Sequence, residues 1–171
     1  SPEESERALN LLKQVRPDYP IEAEAGNNFY LGGNYAKAYE YFAKTQKENL
    51  DQYYLVAYAV SAYMNNKKDE SLEIAKFGAQ KFAQNITFER VALWSAVDIQ
   101  KFDDAITYAN KIVTTDSVEK SARDYIYYGL ALKGNKQYQQ AIDQYNKAFE
   151  MEKNNFKPYQ YIADAYAEMG Q

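Results

Sequence analysis

The stretch YIYYGLALKGNKQYQQAIDQYNKA, residues 125–148, consists of two amphipathic halves separated by a polar turn. The apolar and small positions of the two halves are Tyr125, Tyr128, Gly129, Leu132, Ala141, Tyr145 and Ala148. Residues three and four apart lie on one face of a helix, and a small residue beside large ones lets a second helix approach closely. The stretch therefore predicts a helix, a short turn and a second helix.

The same pattern recurs along the chain at a nearly constant interval. The blocks GNYAKAYEYF, KKDESLEIA, KFDDAITYA and KQYQQAIDQY begin at residues 33, 67, 101 and 136. The corresponding turn positions are Gly33, Asn66, Gln100, Lys136 and Gly170, with spacings of 33, 34, 36 and 34 residues. The small residues that precede these turns are Gly26, Ala59, Gly129 and Ala163. A period of this length is typical of a stack of helix pairs.

The repeat resembles the tetratricopeptide repeat (TPR), a 34-residue helix-turn-helix unit. The resemblance covers residues 19–171, as four repeats and the first helix of a fifth, and residues 1–18 form an N-terminal helix that is a partial leading repeat or a cap. Tyr125 and Tyr159 replace the usual Trp, Glu89 stands at that position in the third repeat, and the closing proline is missing. The resemblance implies an all-α, right-handed α-solenoid of about ten helices, without strands.

The phase of the repeat gives approximate helix boundaries. The expected helices cover residues 3–16, 20–32, 35–48, 52–65, 68–83, 87–99, 102–114, 119–134, 138–152 and 156–169. The first helices of successive repeats are expected to line a concave surface, because a solenoid curves as its repeats stack.

Composition excludes several classes of function. The 171 residues contain no Cys and no His, so thiolate nucleophiles, disulfides and imidazole bases are absent. The acidic pair Asp103-Asp104 stands at a helix start, where it complements the helix dipole. We therefore expect no enzymatic activity, no cofactor and no bound transition metal. The net charge of −4 and pI of about 5.0 argue against nucleic-acid binding, and no apolar run has the length of a membrane helix.

The TPR resemblance implies that a protein or peptide segment binds in the concave groove. Its predicted lining is Asn27, Tyr30, Val56, Val60, Tyr63, Arg90, Trp94, Val97, Tyr127, Leu130 and Tyr161, together with Ala23, Val91, Arg123, Ile126, Lys157, Gln160 and Asp164. Trp94 is assigned to the groove, with core filling as the alternative. Tyr63 and Tyr127 fit the groove or inter-repeat packing equally. The cluster of Lys, Arg and Asn with which some TPR co-chaperones hold a terminal carboxylate is missing, since only Asn27 matches it.

Two other functions remain open from the sequence. A structural self-association or regulatory module of a longer protein is the main alternative, and a helical-repeat RNA binder is disfavoured by the low pI. The last helix carries Tyr159, Ile162, Ala163 and Tyr166 in the repeat pattern, with no second helix following. We therefore expect an adhesive C-terminal edge, end-to-end pairing, and a natural protein that continues past Gln171. The compartment stays open between the cytoplasm and the periplasm or cell envelope.

Overall fold

Ten α-helices and one turn of 3-10 helix make up the computed structural model, which describes residues 1–170. The helices are α1 Pro2–Val15, α2 Ile21–Leu31, α3 Tyr35–Phe42, α4 Gln52–Met64, α5 Lys68–Lys81, α6 Thr87–Asp98, α7 Phe102–Thr114, α8 Ala122–Gly134, α9 Tyr138–Met151 and α10 Lys157–Glu168. The 3-10 turn is Lys47–Asn49, and residues 1–170 include no strand. The predicted all-α class with ten helices is confirmed.

Two predicted helices extend three residues or more beyond one end of the observed helices. The helix expected over 35–48 ends at Phe42, where the Thr45 hydroxyl donates a hydrogen bond to the Phe42 carbonyl and the chain closes into tighter turns. The helix expected from residue 119 begins at Ala122, because Ser121 and Asp124 form a reciprocal capping box there. In both places a side chain that bonds the backbone, rather than apolar periodicity, determines the end of the helix.

The five predicted turn positions share one backbone conformation. Gly33, Asn66, Gln100, Lys136 and Gly170 have φ between 58° and 81°, and no other residue among 1–170 has a positive φ. After the first four, the next N–H donates at 2.8 Å to the carbonyl five residues before it, as in Lys101 to Ala96. This is the Schellman arrangement that ends a helix and reverses the chain. The turns therefore have the same geometry even where the residue is not glycine.

Close helix contacts occur where the sequence has small residues before each turn. Gly26 lies against the ring of Phe42, and Gly129 lies against the ring of Tyr145. Phe42 and Tyr145 are both fully buried. The first helix of a repeat thus receives the aromatic side chain of the second helix, as the paired pattern predicts.

The helix pairs form a stack with the even-numbered helices on one side. Consecutive helices contact one another along the chain, and α2, α4, α6, α8 and α10 also contact one another in succession. Direct contact between alternate helices is expected on the inner side of a curved stack. The concave surface is therefore lined by the even-numbered helices. No helix within residues 1–170 has the length and apolar character needed to cross a bilayer.

Candidate binding groove

The predicted groove residues lie together on the even-numbered helices and are partly exposed. They are Asn27 and Tyr30 on α2, Val56, Val60 and Tyr63 on α4, Arg90, Trp94 and Val97 on α6, Tyr127 and Leu130 on α8, and Tyr161 on α10. Each is neither buried in the core nor fully accessible. This row of positions follows the helical period, because residues three or four apart share a face.

Two further residues expected in the groove are buried instead. Val91 is fully buried, because it lies on the face of α6 that carries the buried Phe88 and Ser95. Ala23 is also buried, three residues before Gly26 and on the same side of α2. The prediction that Val91 and Ala23 line the groove is wrong.

Three aromatic rings form a continuous line across the groove, which we call the aromatic row (Tyr63, Trp94 and Tyr127). The ring centroids of Tyr63 and Trp94 are 6.1 Å apart, and those of Trp94 and Tyr127 are 6.4 Å apart. These distances and the tilted geometry are favourable for aromatic pairs. Each ring is partly exposed, while the Trp94 Nε1 is buried without a hydrogen-bond acceptor among residues 1–170. Trp94 therefore contributes both to packing and to the surface.

The aromatic row runs obliquely across the concave helices. Its members lie three, six and nine residues before the turn residues Asn66, Gln100 and Lys136. Since an α-helix rises about 1.5 Å per residue, each three-residue step moves the next ring about 4.5 Å along its helix. An extended or helical segment lying on the row would thus cross α4, α6 and α8 in turn.

The Tyr63 end of the aromatic row is polar. The Tyr63 hydroxyl donates to Oδ2 of Asp98 at 2.7 Å, and the Lys68 ammonium donates to the same oxygen at 2.7 Å. Burial, together with the hydrogen bond to Asp98, raises the pKa of Tyr63. Tyr63 thus stays a neutral donor at physiological pH, and Asp98 is already occupied by two protein donors.

The two arginines of the groove have different environments. Arg90 donates to both carboxylate oxygens of Asp124, at 3.0 and 2.9 Å, and to the Glu119 carbonyl at 2.7 Å. Arg123 instead places its Cζ 4.2 Å from the Trp94 ring centroid and 5.5 Å from that of Tyr127. Arg90 therefore joins α6 to α8, whereas Arg123 lies over two rings of the aromatic row, Trp94 and Tyr127.

Asp124 is the residue of this site that reasoning from the sequence missed. It is 1% exposed, and it joins α6 to α8 through Arg90. The sequence does indicate a capping role for Asp124, because Ser121-x-x-Asp124 has the spacing of a capping box. Its pairing with a residue 34 positions away was not visible, because a contact between repeats leaves no local pattern.

The remaining predicted positions divide between surface and packing. Tyr161 stacks on the buried Tyr145, with ring centroids 5.4 Å apart. Tyr30 packs edge-on against Tyr35, with ring centroids 6.0 Å apart. Val97 and Leu130 line one shallow depression between α6 and α8. No group of three acidic side chains able to hold a metal ion occurs in the part of the chain described. The arrangement is chemically suited to contact another molecule through aromatic and apolar surface and one exposed guanidinium.

Comparison with known proteins shows similarity in fold but not in sequence family. No protein-family model matches the chain, and no curated protein matches it. Solved structures of MamA are similar: one described as MamA MSR-1 C2 has a TM-score of 0.76 at 21% identity, covering 93% of this chain and 88% of that chain. Residues 41 to the end of MamA from Desulfovibrio magneticus RS-1 give a TM-score of 0.75 at 16% identity, covering 87% of this chain and 86% of that chain. These likenesses confirm the predicted α-solenoid fold of stacked helix pairs.

Proposed function

We propose that the protein is a non-enzymatic TPR-type scaffold that binds a protein or peptide segment in its concave groove. The observation that carries the proposal is the aromatic row, in which three rings on three successive concave helices remain partly exposed. Large aromatic side chains dominate the energetics of protein interfaces because they bury much area with few rotatable bonds. The partly exposed Val97 and Leu130 extend this apolar surface along the groove.

Replacement of Trp94 by alanine is expected to weaken partner binding by roughly 30-fold or more, since truncation of an aromatic hot spot costs about 2 kcal/mol or more. Partners captured from a cell lysate by the wild-type chain should be lost with Trp94→Ala. Trp94 is the only tryptophan, so its fluorescence reports binding of the purified partner directly at the groove.

Met151→Ala is the matched control, because Met151 is exposed at the end of α9, an odd-numbered helix outside the concave surface. Circular dichroism establishes that each variant is folded. Retention of every captured partner by folded Trp94→Ala, or partners whose binding leaves Trp94 fluorescence unchanged, would contradict groove binding.

A second candidate function, end-to-end self-association, is favoured by the two ends of the stack. On α10, Tyr159 is 49% and Tyr166 38% exposed, on the face that receives a second helix in the complete repeats. On α1, Leu11 is 63% and Val15 67% exposed. Exposed apolar patches of this kind are typical of interaction surfaces. A head-to-tail contact between two such ends would extend the solenoid.

The 171-residue chain is expected to increase in average mass with concentration in analytical ultracentrifugation. Tyr166→Glu should restore the monomer, because a buried, unpaired carboxylate opposes an apolar contact. Tyr53→Glu is the control, since Tyr53 is exposed on α4, far from both ends of the stack. A mass that stays monomeric at every concentration excludes this function for the 171-residue chain and leaves groove binding untouched.

A further inference from the structure

Arg123, which lies over Trp94 and Tyr127 in the aromatic row, is positioned to contact a ligand in the groove. We propose that the concave groove binds an acidic peptide segment and that Arg123 binds a side-chain carboxylate of this segment. The inference rests on the proposed groove binding and specifies its ligand. It assigns a role to the one arginine of the groove that the protein's own carboxylates do not occupy.

The Arg123 guanidinium is held but not neutralised. Its carbon lies 4.2 Å from the Trp94 centroid and 5.5 Å from the Tyr127 centroid. A guanidinium over an aromatic ring is attracted to the ring and keeps its five N–H donors for other partners. Within residues 1–170, Arg123 forms no salt bridge and no side-chain hydrogen bond. The donors therefore remain available to a ligand.

Arg90 shows what this fold does with an arginine that has a structural role. Its guanidinium forms a two-point pair with the buried Asp124 and also binds the Glu119 carbonyl. Arg90 lies on the neighbouring concave helix, and the carboxylate nearest to Arg123 in sequence, Asp124, is fully used by that pair. Arg123 is thus left with aromatic partners only, although the protein has a net charge of −4 and an excess of acidic residues.

A second unpaired cation occupies the equivalent position of the next repeat. Arg123 and Lys157 each lie thirteen residues before their turn residues, Lys136 and Gly170. Lys157 is exposed and forms no salt bridge among the described residues. Both cations lie in the first turn of a concave helix, where a positive charge opposes the helix dipole. This local cost is offset when an anion binds to either cation.

The geometry favours a carboxylate on a segment that also carries apolar side chains. A planar guanidinium matches the two oxygens of a carboxylate, and its charge is balanced by one such group. The partly exposed rings of Trp94 and Tyr127 beside Arg123 can contact an aliphatic or aromatic neighbour of the acidic residue. At the other end of the row, Asp98 is satisfied by Tyr63 and Lys68 and does not compete for Arg123.

The test uses two capped decapeptides that alternate acidic and apolar residues, one with Asp and Leu or Phe, the other with Asn in place of every Asp. Titration is followed through the fluorescence of Trp94. We expect the wild-type chain to bind the Asp peptide about two- to fivefold more tightly than the Asn peptide, since an ion pair at an exposed arginine contributes up to about 1 kcal/mol. This difference should shrink as salt is added, because the pair is partly exposed.

Arg123→Gln should remove the preference for the Asp peptide while leaving the affinity for the Asn peptide within about twofold. Lys147→Gln is the matched control, because Lys147 is an exposed cation over the ring of Tyr125 and lies on α9, an odd-numbered helix outside the concave surface. That variant should keep the preference, and near-identical circular dichroism spectra would show that both variants are folded.

Several results overturn the inference. They are equal affinity of the wild-type chain for both peptides, equal weakening of both peptides by Arg123→Gln, tighter binding of a phosphoserine peptide than of the Asp peptide, or no binding of either peptide. None of these affects the proposed function, because capture of partners that depends on Trp94 is measured separately. Loss of that dependence is the outcome that removes the proposed function itself.

Discussion

Replacement of Asp124 by alanine is expected to lower the free energy of unfolding by about 3–5 kcal/mol, the range for breaking a buried ion pair by removing one partner. Asp124 is 1% exposed and accepts two hydrogen bonds from Arg90. It also accepts from the Ser121 backbone N–H at 2.9 Å, which caps α8. The substitution therefore leaves a partly buried guanidinium without a carboxylate and removes a helix cap at the same time.

Urea denaturation at neutral pH, followed by circular dichroism, measures this loss. Asp103→Ala is the control, because Asp103 is exposed in the first turn of α7 and should cost less than about 1 kcal/mol. The double variant Arg90→Met with Asp124→Leu should recover part of the loss, since an apolar pair removes the unpaired charge. A midpoint for Asp124→Ala equal to that of Asp103→Ala would show that the pair does not hold α6 and α8 together.

The repeat could be predicted from the sequence because its constraints are local and periodic. Gln100 and Lys136 were placed at turns by their phase alone, and both have the positive φ that the turn requires. Glycine, the residue that most readily adopts this conformation, is absent at both positions. The constant spacing of the repeats therefore predicted these two turns, whereas a search for glycine at the turn would have missed them.

Contacts between repeats could not be predicted in the same way. The Arg90–Asp124 pair joins residues 34 positions apart, and it turns a predicted groove cation into a structural one. The face of α6 was also assigned one residue too broadly, so Val91 was expected at the surface although it is buried. Neighbouring residues on a helix point about 100° apart. An error of one position in assigning the face therefore moves a side chain between the surface and the core.

The aromatic row depends both on the local repeat pattern and on contacts between repeats. The sequence left Trp94 open between groove and core, and the structure shows a ring that is partly exposed with its Nε1 buried. Its contacts with Tyr63 and Tyr127 depend on how three repeats are stacked, which no single repeat encodes. The presence of aromatic residues in the groove was therefore predictable, but their arrangement as one line across three helices was not.

Gly129→Ala is expected to lower the free energy of unfolding by about 1–3 kcal/mol, although alanine normally favours a helix over glycine by about 1 kcal/mol. A Cβ at Gly129 would lie 2.3 Å from Cε1 and 2.5 Å from Cδ1 of Tyr145. The Tyr145 ring is fully buried and stacked on Tyr161, so it can move only by displacing its neighbours. The added methyl group must therefore push α8 and α9 apart.

Gly32→Ala provides the control within the same protein. A Cβ at Gly32 meets only backbone oxygens, at 3.5 and 3.6 Å, and its φ of −81° is acceptable for alanine. Thermal unfolding should show a lower midpoint for Gly129→Ala and an unchanged or higher midpoint for Gly32→Ala. In the background of Tyr145→Leu, which removes the ring, Gly129→Ala should cost much less, because the two side chains no longer collide. If Gly129→Ala were equally costly with and without the ring, collision with Tyr145 would not be the cause of the lost stability.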